Sequence, residues 1–408
     1  MRSRRALTRR LLTFPPLTVL FFCALCFSCN RNSTAGAASG GIVPGRVANG
    51  SITNGSITNG SITNGSITDG SAAAGSRSGS QKPDKEHKLT IGFSIATATF
   101  IIERWNKDLK VFTGAAKELG ADVIVQLSAG GIKEQISQIN YMINQNIDIL
   151  VVIAHDTELI AGAIRQIKDA GIPVIAYDRL IQGVPLDAYI SFDSREVGRQ
   201  FGQALLAAVP RGRYLIVNGS IHDVNSFDIS EGIHEIIDPG IKSGNIQLGK
   251  EIWLEEWSSD EALEKIGAIF QESMDYDAIA CGNDAIAGAA IQLLSERRVA
   301  GKIAVVGQDA DLSACQRIVE GTQLMTVYKP IGKIGIRAAS LAVALARKAR
   351  GENVEIPPPD KMVDNHSGNL IPAYLEKSTA IFKNNIDDVI RDGFHSQDDV
   401  YRNVTVAH

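Results

Sequence analysis

Little in this chain supports a disulfide scaffold, a nucleic-acid reader or a nucleotide-dependent enzyme. Of five cysteines in 408 residues, Cys23, Cys26 and Cys29 crowd into the first segment, leaving only Cys281 and Cys315 in the body. Two thiols make no disulfide framework. The formal net charge is −4 and no Lys/Arg stripe runs through the body, so the basic footprint of a nucleic-acid binder is missing. No G-x-G-x-x-G leads from a strand into a helix, and no G-x-x-x-x-G-K-[ST] occurs, so nucleotides have no backbone cradle and we expect no cofactor. Ser220, His222 and Asp223 lack the G-x-S-x-G elbow of a hydrolase. The run Asp309–Ser313 with Glu320 matches part of a calcium loop, but Ala314 stands where the turn needs glycine, so we expect no metal. With 44% hydrophobic and 21% charged residues, the chain is neither wholly disordered nor polytopic in a membrane.

The ends of the chain differ in kind. Arg2, Arg4, Arg5, Arg9 and Arg10 precede an apolar stretch, Leu17–Phe27, too short to span a bilayer comfortably. Cys26-Phe27-Ser28-Cys29 closes it and resembles a bacterial lipoprotein cleavage site, with Cys29 lipidated; an uncleaved signal anchor is the alternative. Losing five arginines and no acid takes the formal charge from −4 to −9. Residues 30–87 repeat Ser-Ile-Thr-Asn-Gly and are dominated by Gly, Ser, Asn and Thr, a composition that cannot bury enough surface to offset ordering, so this segment is expected to be a disordered linker.

From Leu89 onward, apolar runs alternate with amphipathic stretches. Leu89–Ile95, Ile147–Ile153, Val174–Tyr177, Tyr214–Val217, Ala278–Ala280, Ile303–Val306 and Leu324–Tyr328 read as buried strands. Ile132, Ile136, Ile139 and Ile143 share a helical face, as do Leu159, Ile160, Ala163, Ile164 and Ile167, and again Leu263, Ile266, Ile269 and Phe270. Steady alternation of this kind predicts an α/β fold of doubly wound parallel sheets. Such sheets hold ligands beyond the carboxyl ends of their strands.

Polar residues gather at those ends. Asp178-Arg179, Asn218 with Asp223 and Asn225, Asn283-Asp284, Gln308-Asp309 and Lys329 each follow a predicted strand, and Arg104-Trp105 follows the first after a loop. Each alone reads equally as a helix cap or a local ion pair, Asn283 above all. Together they offer amides, carboxylates and guanidinium groups able to donate to and accept from adjacent hydroxyls, which suits an uncharged polyhydroxylated ligand. Trp105, Trp253 and Trp257 are the whole tryptophan supply for stacking on a sugar ring, core packing being the alternative for each.

Glu103-Arg104-Trp105, Ala176–Arg179, Tyr189–Asp193, Asn283-Asp284-Ala285, Gly307–Asp311, Thr326–Pro330, Asn385-Ile386 and Asp392–His395 resemble, in order, the bacterial D-xylose-binding proteins, the sugar-binding subunits of ABC importers. The resemblance implies a type I periplasmic binding protein: two such lobes joined by three hinge crossovers. It divides the body into an N-terminal lobe, 88–192 plus 330–356, and a C-terminal lobe, 193–329 plus 357–408. It carries sugar contacts onto Arg104, Asp178, Arg179, Asn225, Trp257, Asn283, Asp309 and Lys329, with Trp105 as stacking partner and Asp223 as neighbour. The loop 96–101 is longer than in relatives and lacks their acidic pair, and His222 and Cys281 also depart from the pattern. The implied function is binding of xylose or a related monosaccharide by lobe closure and delivery to an ABC permease, without catalysis, in an exported, lipid-anchored protein. A tethered sensor signalling to a kinase or chemoreceptor is the alternative, and a sugar hydrolase or isomerase a third.

Overall fold

The computed structural model describes residues 88–96 and 103–404; the expected export segment with Cys29, the repeat linker and all but the first residue of the 96–101 loop lie outside them. The described chain begins with β1 (Thr90–Ala96), α1 (Glu103–Glu118), β2 (Asp122–Ser128), α2 (Ile132–Asn144), β3 (Ile149–Ile153), α3 (Ala161–Asp169), β4 (Val174–Tyr177) and β5 (Ala188–Phe192). It continues with α4 (Ser194–Ala208), β6 (Gly212–Ser220), α5 (Val224–Lys242), β7 (Ile246–Leu254), α6 (Ser259–Glu272), β8 (Ala278–Cys281), α7 (Asp284–Glu296), β9 (Ala304–Gln308), α8 (Leu312–Glu320) and β10 (Met325–Tyr328). The last elements are α9 (Ile331–Ala349), β11 (Lys361–Asp364), β12 (Leu370–Glu376), β13 (Thr379–Ile381), α10 (Asp387–Arg391) and α11 (Gln397–Val400).

Two sheets result, ordered β11-β12-β5-β4-β3-β1-β2 and β13-β10-β9-β8-β6-β7. Each is parallel except for an antiparallel strand at one edge, β11 against β12 and β13 against β10. Helices cover both faces of each sheet, which is why the central strands are buried along their length. In the first lobe α1 and α9 seal one face around Phe93, Phe112 and Tyr177, and α2 and α3 seal the other around Met142 and Ile164. In the second, α6 and α7 pack on Ile279 and Val305 while α4 and α5 pack on Phe201 and Tyr214. The C-terminal segment closes over α8 through Ile381, Val389 and Val400.

Three strand ends cross between lobes: β5 into α4, β10 into α9, and β12 into β13. The first lobe extends past the expected boundary at residue 356. β12 pairs in parallel with β5 from Ala373↔Tyr189 to Glu376↔Phe192 and carries β11 with it, so residues 361–376 belong to the first sheet and the third crossover lies between Glu376 and Thr379. Leu159 also departs from expectation: it precedes α3 and is 64% exposed.

Candidate functional site

The two lobes face each other with the carboxyl ends of their strands. β4 ends into Asp178 and β9 into Asp309, and both residues take a left-handed backbone conformation, φ 63° and 96°, which non-glycine residues rarely adopt. Each is pinned by its neighbouring strand, Asp178 N–H donating to Ile190 O at 2.8 Å and Asp309 N–H to Val327 O at 2.8 Å. Strain of this kind costs about 1–3 kcal/mol, persists only where surroundings fix it, and concentrates at functional positions. Here it places two carboxylates on opposite sides of one cleft.

Arg104, in the first turn of α1 and 7% exposed, joins them. Its Nη2 meets Asp178 within its own lobe, and its Nη1 lies 3.4 Å from Asp309 Oδ1 across the cleft. Lys329 Nζ reaches the same Asp309 oxygen at 3.2 Å from the second crossover. Asn225, on α5, donates through Nδ2 to Asp178 O at 3.0 Å and Asp178 Oδ1 at 3.2 Å, and its Oδ1 accepts from Ser194 Oγ at 3.0 Å. Arg179 spans the cleft as well: Nε lies 2.8 Å from Asp223 Oδ2, and Nη1 donates to Ala154 O at 2.8 Å. The Trp257 indole N–H donates to the same Asp223 oxygen at 3.0 Å. At the rim, Thr157 N–H donates to His222 O at 3.2 Å, and His222 Nδ1 lies 3.2 Å from Asp156 Oδ2. These ties between sheets describe a closed pair of lobes.

The electrostatics follow from burial opposed by pairing. Burial alone would raise the Asp178 carboxyl, but Arg104 first, then Lys329 and Arg179, hold it below its ordinary value. Asp223 is pushed up by burial even against Arg179. Burial opposes the charge on Arg104, and Asp178, Asp108 and Asp309 more than restore it, so the guanidinium stays charged.

The expected residues divide by what they do. Arg104, Asp178, Arg179, Asp223, Asn225, Trp257, Asp309 and Lys329 meet in the contacts above. Trp105 is buried in the first-lobe core, and the Arg104 guanidinium lies 4.5 Å from its ring centroid, so a cation covers that ring. Asn283 caps α7, its Oδ1 accepting Ile286 N–H at 2.9 Å. Trp253 stands apart, stacked on Phe227 with centroids 4.5 Å apart. Trp257 is held by backbone: a Cβ on Gly219 would fall 2.2 Å from its ring, and one on Gly282 3.1 Å, so only hydrogen fits at the first.

Sequence reading missed three contributors. Phe192, at the first crossover, faces both Arg104 and Lys329, at 5.8 and 5.9 Å from its ring centroid. Ser194 orients Asn225. Asp108, fully buried on α1, accepts the Tyr177 hydroxyl and sits one turn beyond Arg104, an i,i+4 spacing that was visible in the sequence. A cavity of about 440 Å³ lies beside this cluster rather than in it, on the hinge side, lined in part by Phe192, Ser194, Val224, Asp228 and Lys361. The strained backbone, the buried charges and both lobes coincide at the cluster and not at this cavity.

Two hinged α/β lobes closing buried polar side chains between their strand ends define a two-lobed ligand-binding protein. The chain belongs to the periplasmic binding protein family, residues 93–351 matching the model described as periplasmic binding protein domain. It is 42% identical over 316 residues to the D-xylose-binding periplasmic protein of Haemophilus influenzae, covering 77% of this chain and 92% of that protein. It is 38% identical to the D-xylose-binding periplasmic protein of Escherichia coli, covering 77% and 94%. Among solved structures, a carbohydrate transporter solute binding protein from Chloroflexus aurantiacus in complex with D-glucose superposes with TM-score 0.70 at 24% identity, covering 76% of this chain and 98% of that one. That likeness confirms the two-lobed fold.

Proposed function

We propose that this protein binds D-xylose or a closely related monosaccharide between its lobes and delivers it, closed, to the permease of an ABC importer. The observation that carries the reading is the set of charged and amide groups crossing the cleft, Arg104–Asp309, Asn225–Asp178 and Arg179–Asp223, in a chain sharing 42% identity with a D-xylose-binding periplasmic protein. Sugar hydroxyls donate and accept at once, and a site of fixed carboxylates, guanidinium groups and amides can satisfy both roles in a dry interior. Contacts from both lobes exist together only in the closed form, so a ligand touching both shifts the population towards closure. Six to eight hydrogen bonds of about 0.5–1.5 kcal/mol net, less ordering costs, reach micromolar affinity, about −8 kcal/mol.

Export, a lipid anchor on Cys29 and the permease partner belong to this proposal, supported by the export-type segment and by relatives described as periplasmic. Binding without catalysis belongs to it too, supported by membership of a family of binding proteins. No observation favours the sensor reading over transport. The test is calorimetric titration of the purified protein against xylose, ribose, arabinose, glucose and galactose. Xylose should bind most tightly, and Asp309→Ala should weaken it about tenfold or more, equal to about 1.4 kcal/mol. Heat from none of the five sugars, or an unchanged affinity in the variant, refutes the assignment.

A further inference from the structure

Among the described residues, the cluster holds one carboxylate too many. Arg104, Arg179 and Lys329 supply its positive charges, while Asp108, Asp178, Asp223 and Asp309 are all available to face them. An uncharged ligand cannot correct the imbalance, and a buried unpaired charge is costly. The surplus has an address. Asp178 meets Arg104 and Asn225, Asp309 meets Arg104 and Lys329, and Asp223 meets Arg179 and Trp257. Asp108 has the Tyr177 hydroxyl on Oδ1, but its Oδ2 lies 3.7 Å from Arg104 Nε, too far for a hydrogen bond, and both atoms are buried without one.

We propose that Asp108 is a positioning residue for the ligand site, bracing Arg104 from within the first lobe and taking up a proton as the lobes close. This rests on the sugar-binding reading above. Arg104 and Tyr177, its nearest partners, belong to the same lobe as Asp108, whereas Asp309 arrives from the other lobe only on closure. The groups acting on Asp108 are Arg104 on its own helix, Tyr177 and Asp178 at the end of β4, and Asp309 at the end of β9. Burial pushes the Asp108 carboxyl up to about 7 in the closed form, opposed by Arg104 and the Tyr177 hydroxyl and assisted by the negative charges of Asp178 and Asp309. Opening removes Asp309 and admits water, and both changes lower it. Closure therefore binds protons, and ligand affinity must rise as pH falls through neutrality. If the open form holds this carboxyl about one pH unit lower, affinity at about pH 6 exceeds that at about pH 8 by roughly fivefold, and binding at about pH 7 takes up about 0.4 proton.

The experiment is calorimetric titration with D-xylose in buffers of different ionisation enthalpy, at about pH 6, 7 and 8, on wild type, Asp108→Asn and Tyr177→Phe. Wild type should show the uptake and the fivefold trend. Asp108→Asn should bind with a flatter pH profile and lose that uptake. Tyr177→Phe removes a hydrogen bond that favours the ionised carboxylate, so its proton uptake should persist at about pH 8, where that of wild type has nearly gone. Should Asp108→Asn fail to fold, Tyr177→Phe decides: an uptake profile that does not move upward in pH overturns the proposal. Equal uptake in wild type and Asp108→Asn overturns it while leaving sugar binding intact. No heat with any sugar in wild type overturns the sugar reading itself, and this inference with it.

Discussion

Asn225→Ala isolates the energy of closure at one side chain. The Asn225 amide ties α5 of the second lobe to Asp178 of the first by two hydrogen bonds, at 3.0 Å to its carbonyl and 3.2 Å to its carboxylate. The two bonds differ in consequence. The Asp178 carbonyl also accepts from Ser191 Oγ at 2.8 Å and Tyr189 Oη at 3.1 Å, so losing Asn225 leaves it satisfied. Among the described residues the carboxylate oxygen Oδ1 has no such reserve, and a hydrogen bond to a charged acceptor contributes about 1.5–3 kcal/mol net. Because this bond forms only between closed lobes, its loss should appear in ligand affinity as a weakening of about tenfold to 150-fold. Titration with D-xylose gives the affinity, and small-angle scattering with and without sugar shows whether the variant still closes. An affinity within about threefold of wild type, with normal closure, would refute the claim that this contact stabilises the closed form.

Two further outcomes follow from local geometry. Gly219→Ala puts a Cβ 2.2 Å from the Trp257 ring, so the indole must leave Asp223; sugar affinity should fall about tenfold or more, with a shift in tryptophan fluorescence. His234 lies in the second lobe, its Nδ1 2.9 Å from Asp238 and its Nε2 3.0 Å from Glu251. Burial opposes its charge, but the two carboxylates hold its pKa above the ordinary value, so its contribution to stability is present at acidic pH and fades as pH rises past neutrality. Urea unfolding at about pH 6 and pH 8 should therefore show a smaller pH dependence in His234→Asn than in wild type.

Much of this architecture was legible in the sequence because parallel strands buried on both faces leave uninterrupted apolar runs. Val174–Tyr177 coincides with β4, and Ala278–Ala280 and Leu324–Tyr328 fall within one residue of β8 and β10. Among the strands overlooked, β5 is buried at every position and was read only as part of a family motif, whereas others have a pattern diluted by solvent. β2 and β7 lie at sheet edges with half-exposed side chains, and β11 is exposed at nearly every position. The lobe boundary was misplaced for a different reason: nothing local marks β12 as a partner of β5, since that pairing joins residues almost two hundred positions apart. Polar residues after strands pointed to the edge where the structure brings the two lobes together. Their pairing could not be read, because Arg104–Asp309 and Arg179–Asp223 depend on how the lobes meet. Asn283 shows the opposite case, where the local capping role is the one its oxygen fills.

Lys329 belongs both to the segment leaving β10 and to the pair with Asp309, and Phe192, beside the first crossover, presents its ring to Lys329 and Arg104. Under the proposed function, flexing and grasping thus share the same amino acids. On that proposal, laboratory selection for a new cargo at these positions should alter release rate along with preference, tying the two traits together there.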